Sequence, residues 1–266
     1  MKVVRFISPE GQEQMGAYLG GDEADVVEGP PAGPYRLTGR KERMAKWLSP
    51  IVPVNILAVG LNYRCHAEET GMSYPDLPIL FLKATSSVVA HGEAIELPLA
   101  GPEQVDYEAE LALVINRTAR NVSRKEALDY VGGYTCANDV SARDWQLEKQ
   151  KKQWSRGKSF DTFCPLGPWL VTPDELPDPG GLAIRAILNG QVMQDSNTDR
   201  MIFDIPALVA DLSRSLTLLP GTVILTGTPS GVGFTRKPPV FLRENDEIAI
   251  EIEGVGRLIN RVVRGK

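Results

Sequence analysis

Two glutamates one residue apart, Glu108 and Glu110 in VDYEAELALVIN, and Asp139 further along in GYTCANDVSARD supply the residue types and spacing of an oxygen-only cation site. In an extended strand alternate side chains share a face. Glu108 and Glu110 therefore point the same way as Asp106, Ala112 and Val114, while Val105, Tyr107, Ala109, Leu111, Leu113 and Ile115 form an apolar face. A strand whose acidic face continues as an apolar one is expected to be covered on both sides. Carboxylates held side by side there repel and are poorly solvated unless a cation joins them. A solvated acidic strand face is the competing reading, and the strand alone does not choose between the two. With two histidines (His66, His91) and three scattered cysteines (Cys65, Cys136, Cys164) without a CxxC pair, a nitrogen and sulfur site for zinc lacks ligands, and a disulfide framework is not expected. No DxDxDG loop favours calcium, so magnesium or manganese fits the donor set.

Other segments could serve such a site. In GLNYRCHAEETG, a helix over residues 63–70 places His66 and Glu69 three apart on one face, where the carboxylate can fix the imidazole tautomer and let the ring take a proton from water. Surface positions for both residues fit the same spacing. Lys83 ends the apolar run ILFLK, either buried for a purpose or with its ammonium snorkelling to solvent. Lys158, after a glycine and among aromatics in WSRGKSFDTF, could stabilise an oxyanion or a carboxylate. TGTPSGVG lacks the GK[ST] ending of a P-loop, but its glycines let backbone approach a ligand, with Thr226 or Thr228 as hydrogen-bond partners. Residues 70–78 read as a lid or an inert loop, and Arg236 and Lys237 as contacts for a second carboxylate or as solvated charges.

These parts need a scaffold. The chain has 266 residues and a net charge of −5, enough for a sizeable core and without the basic footprint of a nucleic-acid binder. No apolar run is long enough for a membrane span, and no signal-peptide core is evident, so a cytoplasmic protein is expected. Residues 1–52 read as a small N-terminal α/β unit with short strands and a helix in GRKERMAKWL, ending at a proline-rich linker. Residues 53–266 are dominated by short strands. EIAIEIEG and RLINRVV form a hairpin, and Asn189-Gly190 a turn. Two helices are expected, one opened by a Ser123–Glu126 capping box and one capped by Asp204. Excess strands without regular βα alternation give an α+β, mostly β class with a rolled or sandwich-like sheet.

Taken in order, GLNYRCHAEE, ILFLK, VDYEAELALVI, ANDVSARDWQ, GKSFDTFCPLGPWLV and LTGTPSGVG resemble the fumarylacetoacetate hydrolase superfamily over roughly residues 54–262. The resemblance implies a mixed β-roll, a bound Mg2+ or Mn2+, a homodimer, and a small α-keto or 2,4-diketo acid as substrate. It assigns the metal ligands to Glu108, Glu110 and Asp139, and the water-activating pair to His66 and Glu69. The cleft lysine falls on Lys158, and contacts to substrate oxygens fall on Lys83, Arg143, Gln146 and Thr228. The implied reaction is hydrolysis of a C–C bond in an acylpyruvate or related 2,4-diketo acid through a metal-bound enolate. Oxaloacetate decarboxylation and keto-enol tautomerisation are the alternatives on the same scaffold.

Overall fold

A computed structural model describes residues 1–101 and 103–265. Among them, twelve strands form a mixed sheet. Its spatial order runs Arg36–Arg43, Glu23–Glu28, Glu13–Gly20, Lys2–Ile7, Cys164–Val171, Val131–Asn138, Ala109–Ile115, Val223–Leu225, Ile56–Gly60 and Ile79–Lys83, with two short strands attached at the side. A five-stranded sheet built on Ala183–Leu188, Gln191–Asn197, Glu247–Ile252, Gly256–Arg264 and Ala94–Leu97 packs against the middle of the large one. The class is α+β and mostly β, as expected.

The period-two pattern decides how the sheets stack. Tyr107, Ala109, Leu111, Leu113 and Ile115 enter the main core together with Ile184, Ala186, Ile248 and Ile250 of the second sheet and with Leu208 and Leu212 of a helix. Ala112 and Val114 face the other way, into a second cluster with Ile56, Ala58, Phe81 and Leu225. Every residue of Ala109–Ile115 is buried, so the acidic end of this strand is covered on both faces. The strand is interrupted after Asp106, with Val105–Asp106 pairing separately with Ser141–Ala142.

Three α-helices are labelled α1 (Arg64–Thr70), α2 (Trp154–Gly157) and α3 (Ile205–Ser215). Asp204 caps α3 through Oδ1, which accepts from Ala207 N at 2.9 Å. Gly71, in the left-handed region at φ 67°, ends α1, a role that favours glycine. Asn189 and Gly190 both have positive φ at the expected hairpin turn, and the strands Glu247–Ile252 and Gly256–Arg264 form the other hairpin.

Two expectations need correction. GRKERMAKWL is not helical: Arg36–Arg43 and Lys46–Leu48 are strands, so the N-terminal segment is all β. Its alternating charges serve as ion pairs such as Arg36–Glu28 and Arg43–Asp22, a pattern that a helix surface would also have satisfied. Strand Lys2–Ile7 pairs with Cys164–Val171, so residues 1–48 extend the large sheet. At Ser123, the hydroxyl does bond to Glu126, but only a 3-10 turn over Ala127–Tyr130 follows, because strand Val131–Asn138 claims the chain at once. No helix among the described residues is long and apolar enough to cross a membrane.

Candidate active site

The site forms at one end of the large sheet because four chain segments turn there. Ala109 pairs with Asn138, which brings Glu108 beside Asp139, and Asp139 N donates to Glu108 O at 3.0 Å. Strand Val223–Leu225 runs antiparallel to Ala109–Ile115 and parallel to Ile56–Gly60. The TGTP loop and α1 therefore leave the sheet at the same end. Gly227, at φ 96°, points its N–H at Glu110 Oε2, 2.6 Å away; a Cβ there would sit 2.7 Å from that of Asn62.

Carboxylate oxygens of Glu108, Glu110 and Asp139 lie within 4.8 Å of one another. Around them four buried carboxylates (Asp106, Glu108, Glu110, Asp139) meet three buried cations (Lys83, Arg143, Lys158), four against three, so one negative charge is in excess. Lys158 Nζ donates to Glu108 Oε2 at 2.9 Å, Asp139 Oδ2 at 2.6 Å and Ser141 Oγ at 2.7 Å. Arg143 donates through Nε to Asp106 Oδ2 at 2.9 Å and pairs through Nη1 with Glu108 Oε1 at 2.6 Å. Glu110 is left with no cation among the described residues, only the Gly227 N–H. Burial, then the charges of Asp139 and Glu108, push its carboxyl well above the usual range. Burial acts on Glu108 in the same sense, but Lys158 and Arg143 prevail and hold it down to about 2. Three converging, buried, oxygen-only donors with an uncompensated charge fit a hard divalent cation.

The opposed shifts make a pH prediction. Glu108's folded value lies below its ordinary 4.5, so its stabilisation is present above about pH 4.5 and is lost as pH falls toward 2. In chelator, melting temperatures of the parent chain should drop more steeply between about pH 5 and 3 than those of Glu108→Gln; parallel curves would refute the assignment.

Glu108 and Glu110 open onto a cleft enclosing about 80 Å3, room for a handful of waters or the core of a small acid. Its polar wall carries Glu108, Glu110, Arg143, Gln146, Lys158 and Thr228, and its apolar wall Val59, Leu61, Phe81, Leu147, Trp154 and Phe234. His66 and Met72 stand at the rim. His66 Nδ1 lies 3.1 Å from Glu69 Oε2. Burial would raise Glu69, but His66, Gly231 N–H and Thr235 hold it below the usual carboxylate range. An ionised Glu69 accepts, so Nδ1 carries the proton and Nε2 is free as a base.

The remaining expected residues divide. Arg143, Gln146 and Thr228 line the cleft, and Arg143 Nη2 is buried without a partner among the described residues. Lys83 is not among the residues that line the cleft: its ammonium is fully buried against Asp139 Oδ1 and Val140 O. All three Lys158 donors are spent on the protein. Arg236 donates to the carbonyls of Gly231 and Met193 and is not a free anchor for a second carboxylate.

Some supporting residues escape a reading of motifs. Asp106 accepts from Tyr107, Gly233 and Phe234 N–H as well as from Arg143. Gln194, from the second sheet, accepts from Ala109 N and donates to Thr228 Oγ1, each at 2.8 Å. Asn62 holds Phe203 N and O and Thr226 O directly after Leu61, which sits at φ 47°. Gly157 lets α2 press on residues 145–149, since a Cβ would meet Gln146 N at 2.6 Å, and so sets Lys158.

The sequence profile of the fumarylacetoacetate (FAA) hydrolase C-terminal domain matches residues 55–263. The chain belongs to the fumarylacetoacetate hydrolase family. Among its relatives in this family, "Oxaloacetate tautomerase fahd2, mitochondrial" of Xenopus laevis is 50% identical over 217 residues, covering 81% of this chain and 68% of that protein. "Oxaloacetate tautomerase Fahd2a, mitochondrial" of Rattus norvegicus is 40% identical over 99% of this chain and 92% of its own length. The fold is shared with a solved structure of 5-carboxymethyl-2-hydroxymuconate delta-isomerase from Mycobacterium smegmatis. That likeness has a TM-score of 0.87 and 40% identity over the full length of both chains. Enzymes of the fumarylacetoacetate hydrolase family therefore surround this chain in sequence and in structure.

Proposed function

We propose that this protein is an enzyme dependent on Mg2+ or Mn2+ that moves a proton next to the keto group of a short α-keto dicarboxylic acid, interconverting the keto and enol forms of oxaloacetate or a close analogue. The observation that carries this reading is that His66, paired with Glu69, lines the same cleft as Glu108, Glu110 and Arg143, whose Nη2 has no partner among the described residues. Glu108, Glu110 and Asp139 would hold the cation, which when bound supplies Lewis acidity toward the keto oxygen. Arg143 Nη2 offers two N–H donors in fixed geometry for a carboxylate. Thr228, with its oxygen already accepting from Gln194, has its own proton to donate. In the keto-to-enol direction Nε2 of His66 takes the proton from the carbon beside the keto group and the keto oxygen gains one. In the reverse direction the enol oxygen loses its proton and His66 returns one to carbon, a transfer that needs no attacking water. The names of the relatives and of the structural neighbour, a tautomerase and an isomerase, support the same class.

A second reading is hydrolysis of a C–C bond in an acylpyruvate. It is favoured by the apolar wall of Leu61, Phe81, Leu147 and Trp154, which matches an acyl tail better than a second carboxylate. There His66 would deprotonate water instead of carbon. The two are separated by assaying the purified protein with Mg2+ on enol oxaloacetate, acetylpyruvate and fumarylpyruvate. Accelerated loss of the enol without pyruvate release supports tautomerisation, and cleavage of the diketo acids with no effect on the enol replaces it with hydrolysis. His66→Ala is expected to abolish tautomerisation and hydrolysis alike while sparing part of any oxaloacetate decarboxylation, which needs no base. An equal loss of all three would contradict that division.

A further inference from the structure

We propose that Thr235 is a positioning residue for the proton transfer: with Gly231 N–H, its hydroxyl fixes the Glu69 carboxylate in the orientation that keeps His66 bare at Nε2. This rests on the reading of His66 and Glu69 as the proton-moving pair.

Glu69 divides its two oxygens between two structures. Oε2 faces His66 Nδ1, while Oε1 accepts from Gly231 N at 2.9 Å and from Thr235 Oγ1 at 2.8 Å. The single hydroxyl proton of Thr235 has a second acceptor in Val232 O at 2.9 Å, but an ionised carboxylate is the stronger one. Helix α1 has seven residues and no side-chain cap at its start, too little to hold a charged side chain in one rotamer by itself. The Glu69 side chain is 21% exposed, so a rotation toward water is open to it once Oε1 is released.

The loop that supplies Gly231 and Thr235 is held firmly. Gly233 and Phe234 N–H donate to Asp106 Oδ1 and Oδ2 at 2.7 and 3.0 Å, and Tyr107 OH donates to Gly231 O at 3.2 Å. Asp106 Oδ2 also accepts from Arg143 Nε. The loop is thereby referenced to the chain segment that carries Glu108 and to the guanidinium facing the cleft. Thr235 passes that reference to Glu69 and thus to His66. Val232 and Thr235 close a one-turn 3-10 segment, Gly233–Thr235, which points the hydroxyl back at α1.

The protein carries its own control. His91 Nδ1 accepts from Ile259 N at 3.1 Å, so its proton sits on Nε2, the opposite tautomer from His66. With two histidines in the chain, the nitrogen-15 spectrum of histidine-labelled enzyme in mildly alkaline buffer reads both rings separately. The test compares the parent enzyme with Thr235→Val and Thr235→Ser on enol oxaloacetate. Thr235→Val should lower kcat about tenfold with KM within about twofold, and should move the His66 signals away from the Nδ1–H pattern while those of His91 stay. Thr235→Ser, which keeps the hydroxyl, should restore both; if valine impairs folding, Thr235→Ala poses the same question. Parent-like kcat and His66 signals in the valine or alanine variant, with His66→Ala and Glu69→Gln inactive, overturn the role of Thr235 alone. Full activity in His66→Ala and Glu69→Gln overturns the reading of the pair itself.

Discussion

Glu110→Gln should separate stability from function: in chelator the variant melts at or above the parent temperature, yet it loses the stabilisation by Mg2+ or Mn2+ and at least about a hundredfold in rate. Glu110 is 1% exposed and is the one site carboxylate without a cation beside it among the described residues. Burial and the charges of Asp139 and Glu108 already work against its ionised form, so glutamine removes that conflict, and the amide oxygen can still accept from Gly227. Burying a neutral amide costs far less than burying an unpaired carboxylate. The same change weakens one of the three donors. A parent chain saturated about a hundredfold over its dissociation constant gains about 2.7 kcal/mol from the ion, and most of that gain should vanish. Melting curves titrated with each metal decide the matter. A parent-like metal shift in Glu110→Gln would end the case for this carboxylate as a ligand.

Lys158→Met should act in the opposite direction on the metal-free protein. Lys158 is 2% exposed, and its ammonium spends its protons on Glu108, Asp139 and Ser141. Burial works against its charge, but Asp139 and Glu108 outweigh that and raise its pKa. Methionine keeps much of the length and none of the charge, so two buried carboxylates lose their shared partner, at a cost of about 3–5 kcal/mol. Added Mg2+ or Mn2+ should then recover more stability than in the parent, because the ion takes over the neutralisation. Activity should still fall at least about a hundredfold. Chemical denaturation in chelator and with metal, beside turnover, measures each part. A variant as stable as the parent in chelator would show that Glu108 and Asp139 do not depend on this lysine.

The carboxylate face was legible in the sequence because strand periodicity is local: Glu108, Glu110, Ala112 and Val114 share a face by spacing alone. Asp106 belongs to the same alternation, but its job was hidden, since its partners come from residues 107, 143, 233 and 234. Gln194 and Thr235 carried no local signal, as each acts across the fold on a segment far away in sequence. The lysine ending ILFLK stands out in the sequence, but its pairing with the buried Asp139 is visible only in the structure. The N-terminal charges misled for a related reason: alternating signs satisfy a helix surface and a cross-strand ladder equally, and the pairing of Lys2–Ile7 with Cys164–Val171 decided for the sheet.

The carboxylates and the base do not share a foundation. Glu108, Glu110 and Asp139 are set on or beside two adjacent, fully buried strands in the middle of the sheet. His66 rides on a two-turn helix whose Glu69 docks on a loop. Changes to that helix or loop can therefore redirect the chemistry while the ion-holding frame stays intact. The fold is in this sense modular, and a lineage can diversify its reactions by altering a few residues at the rim, without rebuilding its most heavily buried part.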